Sequence, residues 1–418
     1  MPNRDITPVE DNPLSINSDE AKPKKSKRAL VGLCILYPVT QLAYAIHASY
    51  FPDEAKSFGA TETEVGVIFA MFSGASLLLS LFAGAIVRRG GASKVIVAGI
   101  MLEAASLIGL GFTNLLRDSV FVGVTVALRA MAGAGSALYM VSALTILAQE
   151  NADNFATAIG LFESVGSLGM LIGPLLGSAL YSTSGNISLV DPTNVSTGGN
   201  YRLPFVSAAG IEVVCGIIVL FLLPKKYWRG QGKEKREADE LYIPTLELLK
   251  NWKVMVMTVV MVMSIGSLSF LDPTLQPYAT AAFHATPLII GLAFTGVLIL
   301  YGVFAIVAGK VVEKTYAQVD MILGLVFVAV GFALMGPLPW FPSLQNIPVF
   351  ATGLTILSIS LAFSIVPIPA ELLNTGKGMR EGGKGESSNA VSALTSAAFS
   401  AGSMIGPLLG SSVDDADG

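Results

Sequence analysis

Long apolar stretches alternate with shorter polar segments along most of the chain. Eleven of these stretches are about 18 to 29 residues long, and about 20 apolar residues are enough for a helix to cross the hydrocarbon layer of a membrane. The pattern therefore predicts an all-α membrane protein with eleven transmembrane helices. The predicted spans are 29–48, 65–87, 95–112, 120–148, 156–181, 203–223, 254–271, 288–308, 321–338, 348–372 and 390–410.

A polar, charged segment at 224–253 separates the sixth span from the seventh and is expected to be a cytosolic linker. It divides the chain into a six-helix N-terminal half at 29–223 and a C-terminal half at 254–410. Polar tails at 1–28, predicted to be cytosolic, and at 411–418 flank the two halves. The second half contains five spans, so the twelfth helix of a two-by-six arrangement is apparently missing.

Basic residues are distributed unevenly between the segments that connect the spans. With the amino terminus in the cytosol, 22 of the 26 Lys and Arg residues lie in cytosolic segments, 3 lie on the opposite side, and Arg129 lies within a span. This asymmetry predicts the orientation, because loops rich in Lys and Arg stay in the cytosol. Two glycosylation sequons, at Asn186 and Asn194, both lie in a loop assigned to the non-cytosolic side.

An internal repeat relates the two halves. The sequence FGAT at 58–61 recurs as FHAT at 283–286, an offset of 225 residues, and GPLLGS at 173–178 recurs at 406–411. At the same offset of 225, Pro52, Gly66, Phe69 and Gly84 recur as Pro277, Gly291, Phe294 and Gly309. Ordered matches with the same sidedness predict a parallel repeat. The glycine-rich fifth and eleventh helices suit the interface between the halves, and plain tight packing is the alternative for any single glycine.

Composition supports a membrane protein and excludes common classes of enzyme. Hydrophobic residues make up 52% of the chain and charged residues 13%, about half the share usual in soluble domains. The chain contains no HExxH motif, CxxC pair, glycine-rich phosphate loop or nucleophile elbow. Cys34 and Cys215 lie within apolar runs and are expected to be packing residues. We therefore expect no enzyme activity, no metal and no cofactor beyond a proton gradient.

Two motifs carry a family resemblance. The sequence GMLIGPLLG at 169–177 looks like an antiporter motif, and Arg129 resembles the buried fourth-helix arginine of proton-coupled carriers. The antiporter-motif residues are Gly169, Gly173, Pro174 and Gly177. On these motifs the chain resembles the major facilitator superfamily, and within it the vesicular amine transporters, over essentially its whole length. The resemblance implies the major facilitator fold. Arg88 stands where an aspartate is usual in the loop after the second helix, so the sequence does not identify an acid for the gating salt bridge of that loop.

Further motifs resemble one branch of that family. FLDPTL at 270–275 and YFPDEA at 50–55 resemble the vesicular polyamine transporters. Monoamine-type relatives carry acids in helices one, ten and eleven. The corresponding positions here are Thr40 or Gln41, Ala362 and Ser396. The resemblance therefore implies uptake of organic cations, polyamines in particular, into acidic vesicles in exchange for protons.

Two intramembrane acids are the leading candidates for substrate and proton binding. Asp272 precedes Pro273, where we expect a broken helix that faces the central cavity. An acid there binds a cation when it is ionised and releases the cation when it is protonated. Glu163 lies near mid-membrane depth and supplies a second carboxylate for a substrate with several amines. Structural pairing of Asp272 with Arg129 is the alternative.

Other polar residues within the spans have two interpretations each. Arg129 is expected to balance an intramembrane acid, because an unpaired guanidinium there is costly. Tyr301 either places its ring against a substrate ammonium or packs at an interface. Glu103 and Glu212 are expected to pair between helices, with substrate or proton binding as the alternative. His47 is expected to be hydrogen-bonded, with titration by vesicle pH as the alternative.

These features predict a proton-coupled antiporter that moves small organic cations across a vesicle membrane by alternating access. We expect a monomer whose partners are the solute, protons and the lipid bilayer, with no nucleic-acid partner. A plasma-membrane multidrug/proton exporter is an alternative with the same fold. A truncated, non-transporting product is the third possibility, because only eleven spans are found.

Overall fold

The computed structural model describes residues 27–184, 200–230, 245–284, 287–336, 346–378 and 388–414. Within these ranges, eleven helical spans are long and apolar enough to cross a membrane, which confirms the predicted number. The α-helices are α1 (Lys27–Ala45), α2 (Phe51–Ser57), α3 (Glu62–Gly90), α4 (Ala92–Gly111), α5 (Asp118–Glu150), α6 (Phe155–Tyr181), α7 (Arg202–Leu222), α8 (Thr245–Leu248), α9 (Trp252–Phe283), α10 (Pro287–Val312), α11 (Ala317–Met335), α12 (Ile347–Ile365), α13 (Pro367–Gly378) and α14 (Ser388–Asp414).

Large apolar side chains cover the outer surface of the helix bundle. Leu78 is 65% exposed, Phe82 is 63% exposed and Phe221 is 86% exposed. In water this exposure is unfavourable, whereas lipid chains solvate such side chains as well as a protein core does. The outward faces of the spans are therefore lipid-facing.

Helices from the two halves meet along two seams. Helices α1 to α7 belong to the N-terminal half, and α9 to α14 belong to the C-terminal half. Helix α6 packs against α10, and α3 packs against α14, so each seam joins one helix from each half. Helix α14 also contacts α5.

The repeated glycines have equivalent positions in the two seams. A Cβ atom on Gly84 of α3 would lie 2.7 Å from the carbonyl oxygen of Asn389, at the start of α14. A Cβ atom on Gly309 of α10 would lie 2.6 Å from the carbonyl oxygen of Ala156, at the start of α6. Both glycines therefore allow two helix backbones to approach closely, at the ends of the spans that are predicted to face the cytosol.

The glycines of the antiporter motif face their own half, and this corrects the prediction that they form the interface between the halves. Cβ atoms on Gly169 and Gly177 of α6 would overlap the carbonyl oxygens of Pro38 and Ile46, which belong to α1 and the turn after it. In α14, the equivalent Gly406 packs against α9. Helices α6 and α14 do reach the seams, but with other residues. The face of each helix that carries the small residues packs against a helix of its own half.

The proline predicted to break α9 does not do so. Helix α9 continues from Trp252 to Phe283, through both Asp272 and Pro273. A proline within a helix removes one backbone hydrogen bond, and neighbouring helices compensate for this loss in a membrane. In the tenth predicted span α12 ends at Ile365 and α13 begins at Pro367, but Val366 between them keeps helical backbone angles, so the span remains one membrane crossing.

We expect Gly177→Ala to destabilise the protein by about 1–3 kcal/mol, because the added methyl group overpacks the contact between α6 and the end of α1. Thermal denaturation in detergent, followed by the loss of the monodisperse peak, measures this effect. Gly210→Ala in α7 is the matched control, since its Cβ would meet nothing within 4 Å. Equal stability of the two variants would contradict the packing described for α6.

Glycosylation tests the orientation of the helices. Asn186 and Asn194 lie outside the described residues, so their glycosylation remains a prediction from the sequence. Glycosidase treatment is expected to lower the apparent mass of the protein expressed in a eukaryotic cell. Asn186→Gln combined with Asn194→Gln is expected to abolish this shift, and an unchanged shift in the double variant would overturn the orientation.

Candidate functional site

Hydroxyl groups join the halves along the seam between α3 and α14. The Oγ atoms of Ser80 and Ser396 are 2.9 Å apart, and those of Ser76 and Ser400 are also 2.9 Å apart. All four serines are buried. Ser396 therefore makes a neutral contact between the halves at the position where monoamine-type relatives carry an acid.

The second seam is closed by the first turn of α6. The backbone N–H of Thr157 donates to Glu313 Oε1 at 3.2 Å, and its hydroxyl donates to the carbonyl oxygen of Gly309 at 3.3 Å. A carboxylate at the start of a helix stabilises its unpaired N–H groups. Glu313, which follows α10, thus binds α6 of the other half.

The two seams join the halves from the middle of the spans towards the side predicted to be cytosolic. The contacts of Thr157 lie at the start of α6 and the end of α10. The serine contacts lie between the middle and that end of α3 and α14.

A hydrogen bond between the halves contains the predicted acid Glu163. The hydroxyl of Tyr301 in α10 donates to Glu163 Oε2 in α6 at 3.2 Å. The hydroxyl of Tyr37 in α1 is a second hydrogen-bond partner of this carboxyl group. Glu163 is 9% exposed and Tyr301 is 5% exposed. The structure therefore brings two predicted site residues together, one from each half.

Packing holds Tyr37 in place beneath this carboxyl group. Its ring stacks on Phe162, with centroids 3.9 Å apart and planes inclined by 2°. The same ring lies against Gly166, where a Cβ atom would overlap it. Glycine at position 166 is thus required for the tyrosine to reach Glu163.

Arg129 lies against aromatic rings. Its guanidinium carbon is 4.9 Å from the centroid of Phe72, 5.5 Å from that of Phe69 and 5.8 Å from that of Tyr44. Contacts of this kind are worth about 0.5–2 kcal/mol each and compensate only part of the desolvation of the cation. Glu103 is the acid that interacts with Arg129 electrostatically. Arg129 and Glu103, both predicted site residues, are therefore neighbours.

Glu103 has a second acidic neighbour. Its carboxyl group in α4 faces that of Glu212 in α7, and the two residues are 2% and 0% exposed. The two acids are therefore neighbours across helices, but they do not satisfy each other, because Glu103 Oε2 and both Glu212 carboxyl oxygens have no hydrogen-bond partner among the described residues.

His47 differs from the prediction of a hydrogen-bonded residue. It is 1% exposed, and neither ring nitrogen has a hydrogen-bond partner among the described residues. The rings of Phe51, Phe69 and Phe205 surround it, with centroids 5.4 to 5.8 Å away. The short turn between α1 and α2 brings the imidazole into this aromatic cluster.

Asp272 keeps its place in α9, but its side chain lies outside the described residues. Its role in substrate or proton binding remains a prediction. Of the positions at which monoamine-type relatives carry acids, Thr40 and Ala362 are buried. The Thr40 hydroxyl donates to the carbonyl oxygen of Tyr37 at 2.9 Å.

The sequence also contains a pattern that indicates Tyr37 as a site residue, although no motif identified it. Tyr37, Thr40, Gln41 and Tyr44 recur at helical spacing in the first span. Polar groups that recur every three or four residues lie on one face of a helix, which in a membrane points into the bundle. Two of these residues contact Glu163 or Arg129, so this polar face of α1 is part of the site.

A buried acid that is hydrogen-bonded by both halves, a buried arginine in the fourth span and two symmetric seams are features of carriers that alternate between two openings. The chain matches the Major Facilitator Superfamily model over residues 33–274. The chain belongs to the Major Facilitator Superfamily. Membership confirms a multi-pass membrane transporter and not an enzyme.

Three named transporters are similar to this chain over most of its length. The chain is 28% identical over 382 residues to the MFS-type transporter SLC18B1 of Homo sapiens, covering 89% of this chain and 76% of that protein. It is 24% identical over 374 residues to the Synaptic vesicular amine transporter of Homo sapiens, covering 88% of this chain and 64% of that protein. These matches confirm the resemblance to the vesicular amine family. The Quinolone resistance protein NorA of Staphylococcus aureus (strain MSSA476) is 24% identical over 379 residues, covering 87% of this chain and 84% of that protein.

A solved structure confirms the fold. The crystal structure of the human organic anion transporter MFSD10 (TETRAN) aligns with a TM-score of 0.69 at 16% identity. The alignment covers 93% of this chain and 94% of that chain. At this identity the likeness shows the major facilitator fold alone.

Proposed function

We propose that this transporter is a proton-coupled antiporter that moves small organic cations, polyamines in particular, into an acidic vesicle by alternating access. The observation that carries the proposal is the Glu163 carboxyl group, which is held by Tyr37 of its own half and Tyr301 of the other half. This acid lies deep in the bundle and is touched by both halves.

The surroundings of Glu163 suit an ammonium group. An ionised carboxylate binds a cation, and the ring of Tyr301 adds a cation–π attraction of about 0.5–2 kcal/mol where its face meets the cation. A polyamine carries several ammonium groups, and Asp272 in α9 is the proposed second carboxylate. A substrate with two or more charges would then be bound by both halves.

Protonation provides the coupling. A proton on Glu163 or Asp272 removes the negative charge that binds the cation, so proton and substrate compete for the same groups. In the acidic lumen the acids take up protons and release the amine. Return of the protonated carrier to the cytosol releases the protons there. This sequence uses the proton gradient to concentrate the cation.

A second candidate function is multidrug/proton export across the plasma membrane. The similarity to the Quinolone resistance protein NorA over 87% of the chain favours it. The two candidates differ in substrate range, since an exporter of drugs accepts apolar and neutral compounds as well as amines.

Uptake of radiolabelled compounds into acid-loaded proteoliposomes distinguishes the two candidates. Spermidine, a monoamine and a neutral drug are compared, with protein-free liposomes as the control. We expect spermidine to accumulate in a manner that depends on the pH gradient, while the neutral drug does not. Gradient-driven transport of the neutral drug, with or without transport of the amines, would favour the multidrug exporter and overturn the proposal.

A further inference from the structure

Two acids face each other in the interior of the N-terminal half, away from Glu163. Glu103 lies near the middle of α4, and Glu212 lies near the middle of α7. Their carboxyl groups interact electrostatically with each other, and the residues are 2% and 0% exposed. Two ionised acids side by side in the core of a membrane protein are costly. The pair therefore needs a compensating positive charge or a bound proton.

The pair has too few hydrogen-bond donors. Glu103 Oε2 and both carboxyl oxygens of Glu212 have no hydrogen-bond partner among the described residues. Ionised carboxylates only accept hydrogen bonds, so two of them facing each other repel and leave their contact unsatisfied. One proton placed between them converts the contact into a hydrogen bond.

A third buried group lies near the pair. Tyr139 of α5 is 1% exposed, and its hydroxyl lies beside the Thr40 side chain of α1. It interacts electrostatically with both Glu103 and Glu212. A phenol hydroxyl both donates and accepts, so it can serve the pair with or without its proton.

Close helix packing leaves little room for water beside the acids. A Cβ atom on Gly135 of α5 would lie 2.9 Å from the backbone nitrogen of Glu103. A Cβ atom on Gly216 of α7 would lie 3.2 Å from the side chain of Ile100, one turn before Glu103. Helices α5 and α7 thus approach α4 closely on both sides of the pair.

Arg129, Glu103 and Glu212 form one cluster, and the positive charge of Arg129 determines how many protons make this cluster neutral. With both acids ionised the cluster carries a net charge of minus one, and with one proton it is neutral. The Nε and Nη2 atoms of Arg129 have no hydrogen-bond partner among the described residues. These donors are available to a carboxylate when the proton leaves, so both the protonated and the ionised pair have partners.

We propose that Glu103 and Glu212 together form a proton-binding site that takes up and releases one proton during the transport cycle. This proposal rests on the proposed proton-coupled antiport, and it places a second proton site outside the substrate cavity. The proton lies between the carboxyl oxygens of α4 and α7, and its release is balanced by Arg129 of α5.

The elements packed against α4 carry further titratable or charged groups. Helix α5 has Arg129 and Tyr139 beside the pair and Asp118 and Glu150 at its two ends, and α7 has Glu212 and, at its start, Arg202. Tyr44 and His47 lie beside Arg129. Cys34 of α1, which packs against α7, lies near Tyr139. The charged residues of α3 lie in its first and last turns, and those of the 3-10 turn Lys225–Trp228 lie at the cytosolic end. They are Glu62, Glu64, Arg88, Arg89, Lys225 and Lys226.

Transport assays separate proton coupling from substrate binding. We expect Glu103→Gln and Glu212→Gln each to lower gradient-driven spermidine uptake by about tenfold or more, because the amide cannot exchange a proton. Counterflow, in which unlabelled and labelled spermidine exchange without a gradient, is expected to stay within about twofold. Asp320→Asn is the matched control, since Asp320 is a buried acid of α11 that accepts a hydrogen bond from Thr315. Its gradient-driven uptake is expected to match the wild type.

Infrared difference spectroscopy tests the site without relying on transport. In a Glu163→Gln, Asp272→Asn background, difference spectra of purified protein titrated with acid and base are compared with and without a substitution in the pair, and the pair is expected to contribute the carbonyl band of one buried carboxylic acid. Glu212→Gln and Glu103→Gln are each expected to remove or shift this band. A band unaffected by either substitution would overturn the proposal, as would full gradient-driven uptake by both variants. If wild-type protein transports no amine but the band behaves as expected, the antiport proposal fails and the proton site stands.

Discussion

Glu163→Gln is expected to lower gradient-driven spermidine transport by about 30-fold or more. Removing one partner of a buried charge interaction costs about 2 kcal/mol or more, and this corresponds to that factor in binding. The amide keeps the size of the side chain and can still accept the hydrogen bond from Tyr301, so packing is preserved. Initial rates of uptake over a range of substrate concentrations measure the effect on KM and on the maximal rate.

Substrates that carry different numbers of charges distinguish two roles of Glu163, namely polyamine recognition and proton coupling. A monovalent amine needs one carboxylate, so its transport is expected to fall less than that of spermidine. Tyr301→Phe is the companion variant, because it keeps the ring and removes only the hydroxyl that reaches Glu163. We expect a smaller loss for it than for Glu163→Gln. Equal losses for monovalent and polyvalent substrates would assign Glu163 to proton coupling or to packing instead of polyamine recognition.

Asp272→Asn is expected to abolish gradient-driven accumulation. The amide has nearly the same size as the carboxyl group but cannot ionise, so it neither holds an ammonium group nor exchanges a proton. Asp272→Glu is expected to keep part of the activity, because it restores the charge on a side chain one methylene group longer. The measurement is the steady-state ratio of internal to external spermidine in acid-loaded proteoliposomes.

The control for Asp272 is a neighbouring polar residue on the same helix. Ser267 of α9 hydrogen-bonds to the carbonyl oxygen of Met263 within its own helix, and Ser267→Ala is expected to transport normally. If Asp272→Asn still concentrates spermidine against a gradient, Asp272 is not the coupling acid, and the pairing alternative with Arg129 is favoured.

The number of spans could be predicted from the sequence because it depends on one local quantity. A helix in lipid needs about 20 apolar residues to satisfy its backbone and match the hydrocarbon layer, whatever its neighbours are. The repeat likewise predicted that Gly84 and Gly309 have equivalent roles, and each lies in one of the two seams between the halves. The number of membrane-spanning helices and the repeat that relates them can therefore be predicted from the sequence.

The direction in which each helix face points was harder to predict. The glycines of α6 were assigned to the interface between the halves, yet Gly169 and Gly177 contact the backbone of α1 and the turn after it. Composition shows that a helix packs closely, but not against which neighbour. That choice depends on the rotation of each helix, which is set by the whole bundle.

The candidate site was predicted in part. Intramembrane charge identified Glu163, Arg129 and Glu103, since a charge in a span is costly without a partner. Tyr37 carries no charge and was found only when α1 and α6 were placed side by side. The neighbour of Glu103 is Glu212, an arrangement that simple pairing of opposite charges does not predict.

Proton movement coupled to substrate is the central claim, and one measurement tests it directly. Proteoliposomes containing the purified protein and a pH-sensitive dye are loaded with acidic buffer, and spermidine is added outside. We predict a saturable rise of the internal pH that depends on spermidine, is absent from protein-free liposomes and is strongly reduced in Glu163→Gln. Entry of labelled spermidine through the wild-type protein with no accompanying rise of internal pH would contradict proton-coupled exchange.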